Sequence, residues 1–224
     1  MELPAGARDE ADGAPPREDP SRCWSSELEL RTGTRADAAA AASLHAGQIT
    51  EGFLATLGPR FLARLYRRIA LTPESFLFVA DAPAKGADPM GFIAGSLDVG
   101  GLYKEFLVRD AAFAAIVSAP RLLRAVPRAF ETLRHGTGDN ARRGTAELLA
   151  VAVSPDWRGR GAGGLLVRRF LDTSKERGAA VAQVVVGAGN EAAISLYRRA
   201  GFESVETFEL HRGTTSLLMQ AGLR

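Results

Sequence analysis

The stretch from Glu147 to Gly164, ELLAVAVSPDWRGRGAGG, runs from an apolar segment into a turn with glycines at 159, 161, 163 and 164. A helix-compatible sequence opens directly behind it. Glycines leave backbone N–H groups unshielded by Cβ atoms, and a helix N-terminus adds unpaired N–H groups and a partial positive charge. That combination suits an anion such as phosphate or pyrophosphate, and Arg158 and Arg160 add full charges beside it. Several readings of the turn compete. Gly159, Gly161 and Gly164 meet the G-x-G-x-x-G spacing of a dinucleotide turn, yet the next strand segment, Val181–Val186, offers no acidic residue for a ribose. A P-loop needs Gly-Lys-Ser/Thr, and this turn has no lysine. Arg158, Gly161 and Gly163 meet a third pattern, R-x-x-G-x-G. A glycine-rich helix start with only a packing role is the fourth.

The rest of the chain limits what this turn can belong to. Its 224 residues are 46% hydrophobic and 24% charged, the proportions of a soluble globular domain. The one cysteine, Cys23, excludes an intrachain disulfide framework and a Cys-rich zinc site. His45, His135 and His211 lack ligand spacing, so no metal is expected. No apolar run approaches the roughly 20 residues that span a bilayer. The opening MELPAGARDEADGAPPRED lacks the basic start and apolar middle of a secretory signal, so a cytoplasmic location is expected. The net charge of +2 is uneven, because residues 1–27 hold three arginines against seven acids. The basic remainder scatters its arginines with few aromatics between them, so neither nucleic acid nor membrane is expected as a partner.

The elements that must position the turn follow from hydrophobic spacing. Residues 1–26, rich in Pro, Gly, Ala and charge, are expected to be a disordered tail, with one domain over 27–224. A strand is predicted at Leu28–Arg31 and a helix from about Ala36 to His45. A second helical stretch covers Phe53–Ile69, where Phe53, Leu57, Phe61, Leu65 and Ile69 recur every four residues and Gly58-Pro59 should break it. Strands follow at Phe76–Ala80 and Met90–Val99. Residues 102–108, 111–118 and 121–133 look helical, and 135–144 form a polar loop. A strand at Ala146–Val153, a helix over 163–177, an apolar strand at Val181–Val186 and a helix at Glu191–Arg199 come next. Ser204–Leu210 and Thr214–Met219 form a closing hairpin around Arg212-Gly213. Alternating strands and helices with one buried sheet make the class α/β or α+β.

A second segment, Asn190 to Phe202, carries N-x-x-A-x-x-x-Y followed by G-F at Asn190, Ala193, Tyr197, Gly201 and Phe202. Asn190 suits a helix cap and Gly201 a helix stop, which accounts for both without a ligand. The order strand, R-x-x-G-x-G, helix, strand, N-x-x-A-x-x-x-Y, G-F over residues 146–202 resembles the GNAT superfamily of acyl-CoA N-acyltransferases. That resemblance implies a central mixed, mostly antiparallel sheet, splayed at the cofactor site and flanked by helices. It implies acetyl-CoA as co-substrate, its pyrophosphate held by Arg158, Gly159, Arg160, Gly161, Ala162, Gly163 and Gly164. The backbone of Val151, Ala152 and Val153 would pair with the pantetheine arm, one N–H polarising the acetyl carbonyl, and Asn190 would contact pantetheine. Arg198 or Arg199 is a candidate for the 3′-phosphate.

Glu147 lies eleven residues before Arg158, where a subgroup of the superfamily that includes histone acetyltransferases places a catalytic glutamate. An ammonium is mostly protonated at pH 7, so a base is useful. Strand alternation puts Glu147 on one side with Leu149, Val151 and Val153, where burial would raise its pKa. Tyr197 matches the superfamily's general acid for the departing thiolate, with a core tyrosine as its structural alternative. Direct attack in a ternary complex is expected, since Cys23 in the tail cannot relay an acyl group.

One departure stands out. Val99–Gly144, with Tyr103, Lys104, Glu105 and Arg109, intervenes before the Glu147 strand and matches no motif of the superfamily. It is expected to pack as helices near the acceptor side and shape substrate choice, or to form a dimer contact. The expected acceptor is a small-molecule primary amine. A protein lysine or N-terminus, or a non-enzymatic acyl-CoA-binding module, is the alternative.

Overall fold

The computed structural model describes residues 28–49, 54, 58–81, 88–110, 144–211 and 214–223. In chain order the elements are β1 (Glu29–Thr32), α1 (Ala38–Gln48), α2 (Pro59–Ile69), β2 (Ser75–Asp81), β3 (Gly91–Ser96) and α3 (99–110). They continue with β4 (Thr145–Val153), a 3-10 turn (Pro155–Trp157), α4 (Ala162–Glu176), β5 (Val181–Gly187), α5 (Glu191–Arg199), β6 (Glu203–His211) and β7 (Thr214–Gly222). The seven strands form one sheet in the order β1-β2-β3-β4-β5-β7-β6. All neighbours are antiparallel except β4 and β5. The expected class, a mixed and mostly antiparallel sheet flanked by helices, is what the chain adopts.

Each face of the sheet has its own core. On one, Phe76, Leu148, Val184 and Met219 pack with Leu166, Val167 and Phe170 of α4 and Ile194 and Tyr197 of α5. On the other, Leu77, Phe92, Ala150 and Ala152 pack with Ala38, Ala41 and Ala42 of α1, Leu62 and Tyr66 of α2, and Leu102 and Phe106 of α3. Gly58, at φ +83, ends any helix before it, and Pro59 occupies the first turn of α2, where its missing N–H costs nothing. Phe61, Leu65 and Ile69 are buried as their spacing requires; Phe53 and Leu57 lie outside the described residues.

Two expectations change. The strand from Met90 ends at Ser96, because Asp98 accepts a hydrogen bond from Gly101 N–H at 2.8 Å and so caps α3. Gln183 breaks the apolar run of β5 as its one polar side chain. The tail 1–26, the helices expected at 111–118 and 121–133, most of the loop expected at 135–144, and Arg212-Gly213 lie outside the described residues. Of the expected insertion, α3 is described, and ions clamp it to α2. Arg68 donates to Asp110 Oδ2 from Nε and Nη2 at 3.0 and 2.8 Å, and Thr72 donates to Glu105 at 3.1 Å.

Gly95 lies where β3 passes under the α4 core. A Cβ there would meet Phe170 Cε2 at 2.5 Å and Phe76 Cε2 at 2.9 Å, both on fully packed rings. Gly95→Ala is expected to lower unfolding free energy by about 1–3 kcal/mol in urea titration. An unchanged midpoint would mean those rings have room to move.

Candidate active site

The site begins where β4 and β5 part. Their parallel pairing runs from Thr145↔Val181 to Leu148↔Val184 and stops, while β5 continues beside β7 as far as Gly187↔Ser216. Against β3, β4 has a bulge at Leu149, since Gly95 pairs with Leu148 and Ala94 with Ala150. Beyond it, Ala150–Val153 have β3 on one side and, among the described residues, no strand on the other. The bulge also corrects the expected alternation. Glu147 and Leu149 do share a face, but it continues with Ala150 and Ala152, whereas Val151 and Val153 pack toward α4 and α5.

The glycine turn closes the far end of this gap. Ser154 N–H bonds Met90 O at 2.7 Å, the 3-10 turn follows, and Gly159 and Gly161 take φ values of +74 and +86. A side chain at either position would be strained, and a Cβ at Gly159, Gly161 or Gly164 would meet nothing within 4 Å. Helix α4 starts with no capping side chain, and its opening bond runs from Leu165 N–H to Gly161 O. Its first N–H groups thus have no capping side chain, and the dipole's positive end lies with them. Gly163 differs from its neighbours, because a Cβ there would touch Leu196 of α5 at 3.4 Å. Arg158 reaches back, donating to Gln48 Oε1 at 2.5 Å and Val153 O at 3.3 Å, while Arg160 lies over the Trp157 ring at 4.9 Å. These contacts leave both guanidinium groups beside the turn.

Glu147 lies one residue before the pairing ends, half-buried on the α1–α3 face. Burial pushes its carboxyl up to about 7, against a smaller opposing effect from Gln183, whose Nε2 donates to Oε2 at 3.2 Å. Tyr103 of α3 stands beside it. Burial first, and the Glu147 charge second, raise this phenol above its ordinary value. Sequence reasoning placed Tyr103 in the insertion without linking it to Glu147, and missed Gln183. The signal for Gln183 was a single polar residue in an otherwise apolar strand.

Tyr197 belongs to the other face. Its ring is buried against Phe202 at 5.6 Å, and its hydroxyl makes no hydrogen bond among the described residues. Burial holds the phenol well above its ordinary pKa. Asn190 caps α5, its Oδ1 accepting from Ala193 N–H at 3.1 Å, as its place in the motif predicts. Arg199 donates to Ser195 at 2.7 Å. Among the described residues no group of three His, Cys, Asp or Glu side chains is spaced to hold a metal, and no helix is long and apolar enough to cross a membrane.

Residues 48–202 match the Acetyltransferase (GNAT) family, and the chain belongs to it. It is 40% identical over 65 residues to an uncharacterized N-acetyltransferase of Methanocaldococcus jannaschii, a match covering 29% of each chain. It is 36% identical over 72 residues to the mycothiol acetyltransferase of Thermobifida fusca, covering 32% of this chain and 22% of the relative. It is 40% identical over 57 residues to the ribosomal protein bS18-alanine N-acetyltransferase of Escherichia coli, covering 25% of this chain and 38% of the relative. The matches thus span well under half the length of each relative. Among solved structures, the Escherichia coli ribosomal-protein-S18-alanine N-acetyltransferase has a TM-score of 0.55 at 15% identity, and Salmonella typhimurium yncA, solved with its cofactor acetyl-CoA, 0.56 at 18%. Both alignments cover 88% of this chain and 94% of the other, and they establish a shared fold.

The Glu147 carboxyl makes a prediction about stability. Its ordinary value is 4.5 and its folded value about 7, so between those pH values the folded protein holds more protons there than the unfolded chain. Stability then falls as pH rises through that window. Glu147→Gln removes the loss, so its stability relative to the native chain should rise between pH 5 and pH 8 by on the order of 1–3 kcal/mol in urea unfolding. A difference that is the same at both pH values would exclude a perturbed carboxyl.

Proposed function

We propose that the protein transfers an acetyl group from acetyl-CoA to a primary amine of a small molecule, by direct attack with both substrates bound. The observation that carries this reading is the gap after Leu148↔Val184, with Glu147 on one face of the sheet and Tyr197 on the other. A backbone edge without a neighbouring strand has unpaired N–H and C=O groups, and these suit the amide-bearing pantetheine arm. The open space before Gly159, Gly161 and Gly164, at an uncapped helix start, suits a pyrophosphate. The residues present therefore fit coenzyme A.

In this reading Arg158, Gly159, Arg160, Gly161, Ala162, Gly163 and Gly164 hold the phosphates, the last mainly through main-chain N–H groups. Val151, Ala152 and Val153 present backbone to pantetheine, and Asn190 borders it. Acetyl-CoA supplies an acetyl group already activated as a thioester. The chain's own residues then manage protons. Glu147, near 7, is substantially ionised at neutral pH and accepts a proton from the incoming ammonium. Tyr197 stays protonated at that pH and donates from its hydroxyl to the departing sulfur. A proton is thus taken on one face and delivered on the other, so base and acid do not neutralise each other. Helix α3, clamped over the Glu147 face with Tyr103 beside the carboxyl, narrows the acceptor side and favours a small amine. A protein N-terminus is the second reading, favoured by the match to the bS18-alanine enzyme. A cytoplasmic location and the absence of a resident metal belong to the same proposal.

Coenzyme A release from acetyl-CoA, measured across small amines and alanine-ended peptides, separates these readings. Turnover on small amines alone is expected. Turnover on peptides alone would replace the small-molecule acceptor, and cofactor binding without any turnover would make the protein an acyl-CoA sensor. Tyr197→Phe should lower kcat on the order of tenfold or more while acetyl-CoA affinity stays within about twofold in calorimetry. Because the ionised carboxylate is the active form, kcat/KM should rise with pH through about 7. Glu147→Gln should flatten that acid limb, and an unaltered limb removes Glu147 from the role.

A further inference from the structure

We propose that Gln183 is a positioning residue for Glu147, and that Gln220 orients Gln183 in turn, so that two amides in one register row aim the carboxylate at the gap. The proposal rests on the reading of Glu147 as the base. The three residues face one another directly across adjacent strands, Glu147↔Gln183 between β4 and β5 and Gln183↔Gln220 between β5 and β7. Gln183 is 8% exposed and is flanked in sequence by Ala182 and Val184. A primary amide so enclosed is costly unless both its ends are bonded. Its Nε2 donates to Glu147 Oε2 at 3.2 Å, and its Oε1 accepts from Gln220 Nε2 at 3.5 Å, the longer and weaker contact.

The two ends of an amide are not equivalent. A flipped Gln183 would set its oxygen against the carboxylate and its nitrogen against the Gln220 donor, losing both bonds. The ionised carboxylate only accepts, so it sets Gln183 to donate, and Gln220, presenting its own Nε2, braces the oxygen end. The row also stands at a particular place, one pair before β4 and β5 separate, so whatever fixes Glu147 there fixes it at the mouth of the gap. On the other flank, Ser96 is the register partner of Glu147, but its hydroxyl donates to Glu74 O at 3.3 Å and receives the Ser75 hydroxyl at 3.0 Å. The hold on the carboxylate thus comes from the β5 side.

Other titratable and charged groups on elements packed over this face are Tyr103, Glu105 and Asp110 of α3, Tyr66, Arg64 and Arg68 of α2, and His45 of α1, with Glu203 of β6 opposite Gln220. Arg68 is held by Asp110 and Glu105, and His45 by Tyr66. A donor to the ionised form stabilises it, so Gln183 keeps the carboxylate more acidic than burial alone would.

The test reads the carboxyl directly, by 13C titration of labelled glutamate in the full chain, with the Glu147 signal identified by its loss in Glu147→Gln. The pH profile of kcat/KM is read alongside. Gln183→Leu should move both the titration and the acid limb upward by about half a unit or more, roughly threefold in the ionisation constant. Gln220→Leu should move both in the same direction by less. If Gln183→Leu does not fold, the unbranched Gln183→Met replaces it. A carboxyl titration unmoved by loss of the Gln183 amide overturns the proposal. A titration that moves while the acid limb stays in place overturns Glu147 as base instead, and with it the catalytic use of the row.

Discussion

Strand β4 pairs with β5 over four residues only, and the site follows from that limit. The bulge at Leu149 is its local cause. An extra residue on one strand bends and twists it, here just where the partner on the other side must be abandoned. Because β5 stays with β7, the two strands diverge and β4 has a backbone edge that no strand covers among the described residues. The N–H and C=O groups along that edge are left to water, and an extended ligand with amides of its own can take water's place. The glycine turn at the end of the same strand adds a demand for an anion. One chain of nucleotide phosphates and an amide-bearing arm answers both.

The helices over the Glu147 face pack through a shared apolar core, and polar bonds at their ends and edges add direction to it. Helix α1 contributes Ala38, Ala41 and Ala42, small residues that let it lie close to the sheet. Its start is fixed by Asp37, which takes two bonds from Arg31 at 3.0 and 2.7 Å and is pulled down to about 2 by them. Its end meets the glycine turn through Gln48 and Arg158, and its middle meets α2 through His45 and the Tyr66 hydroxyl at 2.5 Å. Arg68 then fastens α2 to α3. Directional bonds of this kind specify an orientation that alanine contacts alone would leave loose, and orientation is what a site between two faces needs.

Much of this was legible in the amino-acid sequence because it depends on local rules. Glycines at 159 and 161, the cap at Asn190, the stop at Gly201 and the break at Gly58-Pro59 each act within a few residues, and each stands where its chemistry predicts. What escaped depends on pairing between distant strands. The bulge at Leu149 exists only against β3, and it overturned the face assigned to Val151 and Val153 relative to Glu147. The Gln183 bond exists only because residues 147 and 183 share a register. Helix α3 was expected, but its capping by Asp98 and its position beside Glu147 depend on a strand that stops short and on ions from α2.

Burial sorts the ionisable groups of the site in a way that bears on which of them can move a proton. Desolvation always favours the neutral form, so it raises Glu147 to about 7, raises Tyr197, and lowers His45 to about 4. At neutral pH His45 is therefore uncharged, and its Nδ1 shares a hydrogen bond with the Tyr66 hydroxyl, itself held protonated by burial. Its Nε2 is buried and has no partner among the described residues. Such a histidine is poorly placed to accept a second proton, and its depressed pKa makes it a weak base. The carboxylate, shifted the other way by the same physics, lands near neutrality and can change state there. Arg158 and Arg160 place positive charge at the glycine turn instead. At the mouth of the gap, Glu147 is thus a described group whose shifted pKa falls near neutrality, and Gln183 of β5 bonds it.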